Sequence, residues 1–340
     1  MIRRYKIEAE FDKNYEIPQW TGTTLRGVFG QCLKQVLCRK NKKTCEKCSL
    51  QKTCEYQYVF ETSPKLFKNP LIARKLEGIT KPYTLEPIQL QEKRKFIFHL
   101  NLIGKRAINL EPFIILVLKC MSQMGLGRDK KLTKRRTFQI QKITAENDLT
   151  GQEALIYDEN EGYLNYDNKA IKTDITIGQI EETAEKIVEK QPDILQLLLE
   201  TPTMVRYNGK PVLKLEVHHI VRNLARKYSL TMHYHLNKPI LTPETATKIA
   251  ETAEKNIKNQ LTKVKTIYLT KYSLERKQWE KYGPFIKGLT QHQISPNLYE
   301  NKEVAKWIFK LLTLGKYLHT GTLATAGCGK YTLHIYKTIS

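Results

Sequence analysis

The spacing of hydrophobic and polar residues predicts a strand and then a helix at the start of the chain. Residues 2–11 alternate between apolar and polar side chains, which is typical of a strand with one buried face. In GTTLRGVFGQCLKQVLC the apolar residues recur at intervals of three and four, which indicates a helix with one apolar face. Gly27 and Gly30 on this helix would allow another backbone to approach closely.

The rest of the first half continues a recognisable order of elements. A strand pair near RKFIFHLNLIG precedes the helix-like AINLEPFIILVLKCMSQM, then Gly125-Leu126-Gly127-Arg128 and the strand-like RRTFQIQKI. A hairpin and an acidic helix follow, up to Pro192. We therefore place a domain boundary near residue 195.

The second half repeats this order, and such internal repetition is informative about fold. The strand-like PTMVRYN leads to a helix over 212–229, and an additional helix spans about 243–260. Two strands, a helix from Asn301 to Gly315, the loop 327–330 and a last strand complete the pattern. We predict an α+β chain of two tandem ferredoxin-like domains, each βαββαβ and RRM-like, over 1–195 and 196–340.

The charge favours a polyanionic partner. The chain has 57 basic and 34 acidic residues, a formal charge of +23. Residues 1–140 carry 29 basic and 12 acidic side chains, 141–200 carry 5 and 14, and 201–340 carry 23 and 8. A basic amphipathic helix suited to a membrane surface is not evident, so nucleic acid is the expected partner. A charged start and short apolar runs predict a soluble, cytoplasmic protein without membrane association.

Two glycine loops stand at equivalent points of the two halves. Gly125 and Gly127 precede Arg128, and Gly327 and Gly329 precede Lys330. Glycine permits backbone conformations in which successive N–H groups face one anion, and the following cation adds charge. A tight turn without a ligand is the alternative interpretation.

A cysteine-rich insertion follows the first helix. Four cysteines occur with the spacing C-x6-C-x2-C-x5-C, namely Cys38, Cys45, Cys48 and Cys54. Four thiolates can form a closed tetrahedral zinc site, so we predict a structural zinc, with an iron–sulfur cluster as the less favoured alternative. Reduced cysteines without metal are the other interpretation. Lysines and arginines between the cysteines could also touch a phosphate backbone.

Basic side chains and one histidine are further candidates. Lys214, His218, Arg222 and Arg226 are spaced by four and predict a basic stripe on the helix over 212–229. A solvated helix face is the alternative interpretation, here and for RDKKLTKRR. His319 in YLHTG lies beside the last glycine loop, where it could act as general acid or base on a phosphodiester. A loop-orienting hydrogen bond is its other possible role.

Several segments together resemble one known family. They are GTTLRGVFG, CEKCSLQKTCEYQYVFE, MGLGRDKK, TPTMVRYNG and LLTLGKYLHTGTLATAGCGKYTL. These segments are similar to the CRISPR-associated endoribonucleases of the RAMP superfamily, which process precursor CRISPR RNA. The resemblance extends over nearly the whole chain.

The resemblance implies two ferredoxin-like domains that bind a CRISPR repeat RNA and cut it once without a metal cofactor. It implies attack of a ribose 2′-OH on the adjacent phosphate, which leaves a 2′,3′-cyclic phosphate. Many members use a histidine on or just after the first helix, but residues 1–98 contain none. Our catalytic candidate is His319, with Lys and Tyr side chains as the alternative.

For RNA contact we choose Arg26, Gly125, Gly127, Arg128, Lys214, Arg222, Gly327, Gly329 and Lys330. A non-catalytic RNA-binding subunit of a CRISPR effector complex is the alternative function, and other effector subunits are expected partners.

Overall fold

The structure, a computed structural model, describes residues 1–38, 40, 45, 48–67, 79–128, 135–273 and 278–338. The chain forms two compact units. The first comprises Met1–Ile175 and Leu230–Lys238, and the second comprises Thr176–Ser229 and Pro239–Ser340. The units therefore divide about twenty residues before the expected boundary near residue 195.

The helices and strands of the first unit follow the predicted order. They are β1 Ile2–Phe11, α1 Gly22–Leu37, α2 Glu55–Val59, β2 Tyr83–Leu85, β3 Gln89–Leu90, β4 Lys95–Ile103, α3 Lys105–Ile108, α4 Glu111–Met124, β5 Leu126–Arg128, β6 Arg135–Arg136, β7 Phe138–Asn147, β8 Gln152–Asp158 and β9 Gly162–Tyr163.

The main sheet of the first unit has the strand order β2-β4-β1-β7-β8-β9. β1 lies antiparallel between β4 and β7, so β2, β4, β1 and β7 form the four-stranded arrangement of a ferredoxin-like fold. The core contains the predicted apolar face of α1 and that of α4. Leu25, Phe29 and Leu33 of α1 are fully buried there.

The second unit repeats this arrangement. Its elements are α5 Ile177–Lys190, β10 Ile194–Thr203, β11 Arg206–Tyr207, β12 Lys210–Pro211, α6 Val217–Thr231, α7 Pro243–Asn256, β13 Ile257–Ser273, β14 Gln278–Ile294, α8 Lys302–Leu318 and β15 Tyr331–Tyr336. A π-helical turn, Met232–Leu236, follows α6. The strand order β13-β14-β10-β15 is equivalent to β2-β4-β1-β7 of the first unit. The prediction of two tandem ferredoxin-like folds is confirmed.

Three boundaries differ from the sequence predictions. α5 belongs to the second unit, where Lys310 of α8 lies 2.6 Å from Glu181 of α5. α6 starts at Val217 and not at residue 212, because Val212 still pairs with Val205 next to the β11–β12 hairpin and residues 213–216 lie between the hairpin and the helix. α8 continues past Gly315, whose missing side chain makes room for Tyr331 and Leu224. Asn301 caps α8 as predicted, by accepting a hydrogen bond from the Val304 N–H at 3.2 Å.

Among the described residues, no helix combines the length and the apolar character that crossing a bilayer requires.

Candidate functional site

An aromatic ring packs directly on the backbone of α1. Because Gly30 has no Cβ, the ring of Phe60 occupies the place where a side chain would begin. The Arg26 guanidinium lies over the same ring, with its central carbon 4.7 Å from the ring centroid. Gly30 thus allows a close approach, but an aromatic side chain makes it and not the backbone that the sequence predicted. No described atom lies within 4 Å of a Cβ built at Gly27.

Lys81 lies beside this ring and has an unusual electrostatic environment. Its ammonium group donates a hydrogen bond to the Phe60 carbonyl oxygen. Burial, and after it the positive charge of Arg26, lower the pKa of Lys81 to about 8, against the opposing effect of Glu61. An amine with this pKa exchanges protons near neutral pH, which suits it to acid–base chemistry. We call Arg26, Phe60, Glu61 and Lys81 the Lys81 cluster.

The backbone next to Lys81 is held by a chain of hydrogen bonds. His235 Nε2 donates to the carbonyl oxygen of Thr80 at 2.7 Å, and the Tyr58 hydroxyl donates to His235 Nδ1 at 3.1 Å. Burial lowers the pKa of His235 to about 4, so the imidazole is neutral and can have these two roles at once. The position of Lys81 is thereby fixed from its own backbone as well as from Phe60.

The first turn of α1 offers a place for an anion. No acidic residue lies in this turn, and Thr21 does not cap it, since the Thr21 hydroxyl accepts a hydrogen bond from the Ile88 N–H at 2.9 Å. A Cβ built at Gly127 would lie 3.3 Å from Arg136 Nη1 and 3.4 Å from Thr24 Cγ2. The guanidinium of Arg136 therefore lies beside this turn.

Arg136 has the features of an unsatisfied cation at this site. The residue is 8% exposed, and its Nε has no hydrogen-bond partner among the residues that the structure describes. Free N–H groups and the helix dipole favour an anion at a helix start, and a guanidinium adds two or more donors. We call the N–H groups of residues 22–24 together with Arg136 the first-turn site.

The first glycine loop lies against α1. Gly125 and Gly127 have φ values of 74° and 58°, a conformation that favours glycine. A Cβ at Gly125 would lie 2.9 Å from the Arg136 carbonyl oxygen. The loop thus brings Gly125 and Gly127 to the same helix as Arg26. Arg128 ends β5, and its side chain lies outside the described part of the structure.

The second glycine loop makes its contacts within the protein. The four N–H groups of residues 327–330 donate to the carbonyl oxygens of Ala324, Leu323 and Pro202 and to the hydroxyl of Thr201, in that order. The Lys330 ammonium lies 3.0 Å from Glu200. A Cβ at Gly329 would overlap the Thr320 carbonyl group. In this arrangement Gly327, Gly329 and Lys330 present no backbone N–H group to an anion.

His319 lies in the interior of the second unit. Its side chain is 0% exposed, and its φ of 54° marks the point at which the chain leaves α8. Lys227 donates to the His319 carbonyl oxygen at 2.7 Å. Burial, with Arg226 as the second cause, lowers the pKa of Lys227 to about 7. As placed, His319 faces protein atoms and not solvent.

The predicted basic stripe is interrupted. Lys214 is exposed but precedes α6, His218 is buried, and Arg222 is partly exposed. The expectation of one continuous basic face along this helix is therefore wrong. Lys214 is absent from the helix because α6 begins only at Val217, and His218 is absent from the exposed face because its side chain is buried.

The four cysteines of the insertion are partly exposed. Cys45 and Cys54 pack against the core of the first unit, and the Cys48 N–H bonds to the Cys45 carbonyl at 3.1 Å. Within the described ranges, no three Cys, His, Asp or Glu side chains come close enough to hold a metal ion. The described positions of these cysteines do not fit a tetrahedral site. A structural zinc therefore stays a prediction of the spacing alone.

Lys81 and Arg136 were not predicted as site residues, because the sequence gives only weak signals for them. Lys81 lies in a loop beside Pro82, where no periodicity marks it. Arg136 belongs to the basic run RDKKLTKRR, but its burial cannot be inferred from a run of like charges. The glycine at position 30 was the best available signal, because it indicated a close approach to α1.

Comparison with known proteins relates part of the chain to a known family. Residues 197–331 match the family model of the CRISPR-associated endoribonuclease Cas6. This part of the chain is therefore similar to the Cas6 family. Residues 1–169 match a second family model, described as an N-terminal domain. No curated protein sequence matches this chain significantly.

Solved Cas6 structures have the same fold as this chain. A Cas6 product complex superposes with a TM-score of 0.56 at 12% identity, over 98% of this chain and 100% of the other. A partial Cas6-RT-Cas1–Cas2 complex and the corresponding full complex each give a TM-score of 0.55 at 10% identity. These matches cover all of this chain and 47% and 29% of the other chains. At these identities the likeness concerns the fold.

Proposed function

We propose that this chain binds CRISPR repeat RNA and cleaves the precursor transcript without a metal ion. In the proposed reaction, the ribose 2′-oxygen bonds to the adjacent phosphorus and the bond from phosphorus to the 5′-oxygen breaks. The products are a 2′,3′-cyclic phosphate and a 5′-hydroxyl end. The family match and the excess of basic residues support RNA as the substrate.

The proposed mechanism is based on the environment of Lys81 in the Lys81 cluster. The reaction needs a base for the 2′-OH proton and a cation near the charge that develops on the phosphate. Lys81 has a lowered pKa and can accept that proton in its neutral form, while Arg26 remains charged. The leaving 5′-oxygen takes a proton from water. This proposal follows the alternative given in the sequence analysis, in which a Lys side chain and not His319 is catalytic.

The first-turn site supplies the proposed RNA contact. A phosphate at the start of α1 would accept hydrogen bonds from the N–H groups of residues 22–24 and from Arg136, whose Nε lacks a described partner. Gly127 keeps this side of the helix open, since a Cβ there would lie beside the Arg136 guanidinium and Thr24, whereas a Cβ at Gly125 would meet the Arg136 backbone. Arg26 is the one residue chosen from the sequence that lies in the Lys81 cluster.

His319 and the loop over 327–330 have a structural role in this proposal. Their burial and internal hydrogen bonds support a function in holding the second unit together. Association with other CRISPR proteins is a further part of the proposal, because one structural relative belongs to a Cas6-RT-Cas1–Cas2 complex.

A single 2′-deoxy substitution tests the reaction type. The full chain is incubated with labelled repeat RNA, and the cut position is mapped. The same RNA is then prepared with 2′-deoxyribose on the 5′ side of the cut. We expect this RNA to bind with unchanged affinity and to remain uncut, because the nucleophile is missing. Cleavage of the deoxy RNA at the wild-type rate would exclude 2′-OH attack.

A further inference from the structure

A short β-hairpin in the second unit presents a tyrosine beside α6. β11 and β12 pair Tyr207 with Lys210 across a two-residue turn, in which Asn208 and Gly209 have φ values of 49° and 78°. Positive φ at both turn residues is the requirement of a tight type I′ hairpin. The Val212 N–H extends the pairing with a bond of 2.9 Å to the Val205 carbonyl. The hairpin is therefore a defined support for the Tyr207 side chain, which is 37% exposed.

Tyr207 is surrounded by three side chains from the start of α6. Its ring centroid lies 5.2 Å from that of His219, and the planes meet at 70°. The rings of His218 and His219 lie 3.9 Å apart. The Arg222 guanidinium carbon lies 5.5 Å from the Tyr207 ring centroid. These four residues form one aromatic and cationic cluster, which we call the Tyr207 cluster.

Burial lowers the pKa of both histidines of the cluster. Burial, and then His218, lower the pKa of His219 to about 4. Burial also lowers the pKa of His218, although Glu254 and Glu216 each lie 3.9 Å from its ring and oppose the shift. His219 Nδ1 accepts a hydrogen bond from the Glu216 N–H at 3.2 Å, so its proton is on Nε2. The His219 imidazole thus offers a flat, uncharged surface, and Arg222 supplies the positive charge.

Arg222 has an unused donor. Its Nε is buried and bonds to no acceptor in the part of the chain that the structure describes. A buried donor without an acceptor is costly, and a ligand that supplies an acceptor would relieve this cost. Arg206, Lys210 and Lys214 are exposed on and after the hairpin and add positive charge. The ligand that fits has a flat ring, hydrogen-bond acceptors and negative charge.

We propose that the Tyr207 cluster binds one nucleotide of single-stranded RNA, with the base against Tyr207 and the phosphate at Arg222. This proposal rests on the proposed function, in that the RNA is the repeat transcript, and it adds a contact separate from the Lys81 cluster. Every base has a face that can stack on an aromatic ring, and such stacking suits single strands. An acidic peptide would provide the charge without a ring for Tyr207.

Binding measurements on Tyr207 variants test the proposal. The affinity of the full chain for labelled repeat RNA is measured by fluorescence anisotropy. Tyr207→Leu should weaken binding by about 5- to 100-fold, the range for loss of one base–aromatic stack. Tyr207→Phe keeps the ring and should bind within about twofold of wild type, as expected for stacking. Tyr166→Leu is the matched control, because Tyr166 is 77% exposed and lies in the other unit.

A second measurement uses the unchanged protein, so it does not depend on the folding of a variant. Repeat RNA that carries 4-thiouridine is irradiated with the wild-type chain, and the cross-linked peptide is identified by mass spectrometry. We expect an adduct on the peptide that contains Tyr207. The proposal is overturned if wild type binds RNA but Tyr207→Leu binds equally well, or if no adduct forms on that peptide. Failure of wild type to bind RNA at all would instead refute the proposed function.

Discussion

At the scale of single residues, burial decides which basic groups can act on a substrate. His319 has the side chain most often used for acid–base chemistry, but it is fully buried. Lys81 is partly exposed, and its surroundings bring its pKa to about 8. Sequence reasoning favoured His319 because residue type and position are visible in a sequence. The burial of Lys81, its hydrogen bond to Phe60 and its nearness to the charge of Arg26 arise from the folded chain and are not visible in the sequence.

The titration of Lys81 predicts the pH dependence of cleavage. As a general base it must be neutral, so the rate of single-turnover cleavage should rise about tenfold per pH unit up to about pH 8 and then level off. Lys81→Arg keeps the charge but stays protonated, and it should lose about 100-fold or more in rate with little change in affinity.

The control for this experiment is Lys172→Arg, which changes an exposed lysine outside the cluster. A Lys81→Arg variant with the wild-type rate and the wild-type pH profile would remove Lys81 from the mechanism.

At the scale of elements, the two glycine loops have different environments despite equivalent positions. The loop at 125–128 lies against the first turn of α1, whereas the loop at 327–330 has its N–H groups bonded within the unit. The sequence predicted both loops, because glycine pairs before a strand are easily recognised. It could not distinguish them, since the difference depends on acceptors from β10, which is more than 120 residues distant in the chain.

A stability measurement tests the packing role of the second loop. Gly329 has a φ of 80°, and a Cβ there would overlap Thr320. Gly329→Ala should lower the free energy of unfolding by about 1–3 kcal/mol for the left-handed backbone alone, and further for the overlap. Gly151→Ala is the matched control, because Gly151 has a φ of 73° and no described atom within 4 Å of its Cβ. Equal losses in the two variants would show that the Thr320 contact has no effect on stability.

At the scale of the whole molecule, the repeated strand order was the feature that sequence reasoning predicted best. Alternation and helical periodicity are local properties, so both βαββαβ patterns were visible without long-range information. The division between the units was missed, because the pairing of α5 with α8 joins residues 177–190 to residues 302–318. The hairpin at 206–211 was also missed, although its Asn-Gly turn is a strong local signal.

An endoribonuclease and a passive RNA-binding subunit differ in whether the bound repeat RNA is cut. The two are distinguished by incubation of the purified full chain with labelled CRISPR repeat RNA in EDTA, with the number and chemistry of the cut ends scored. We predict one cut with a 2′,3′-cyclic phosphate and a 5′-hydroxyl. Tight binding of the repeat without any cut, in EDTA and with divalent cations alike, would contradict the proposed endoribonuclease and favour the non-catalytic subunit.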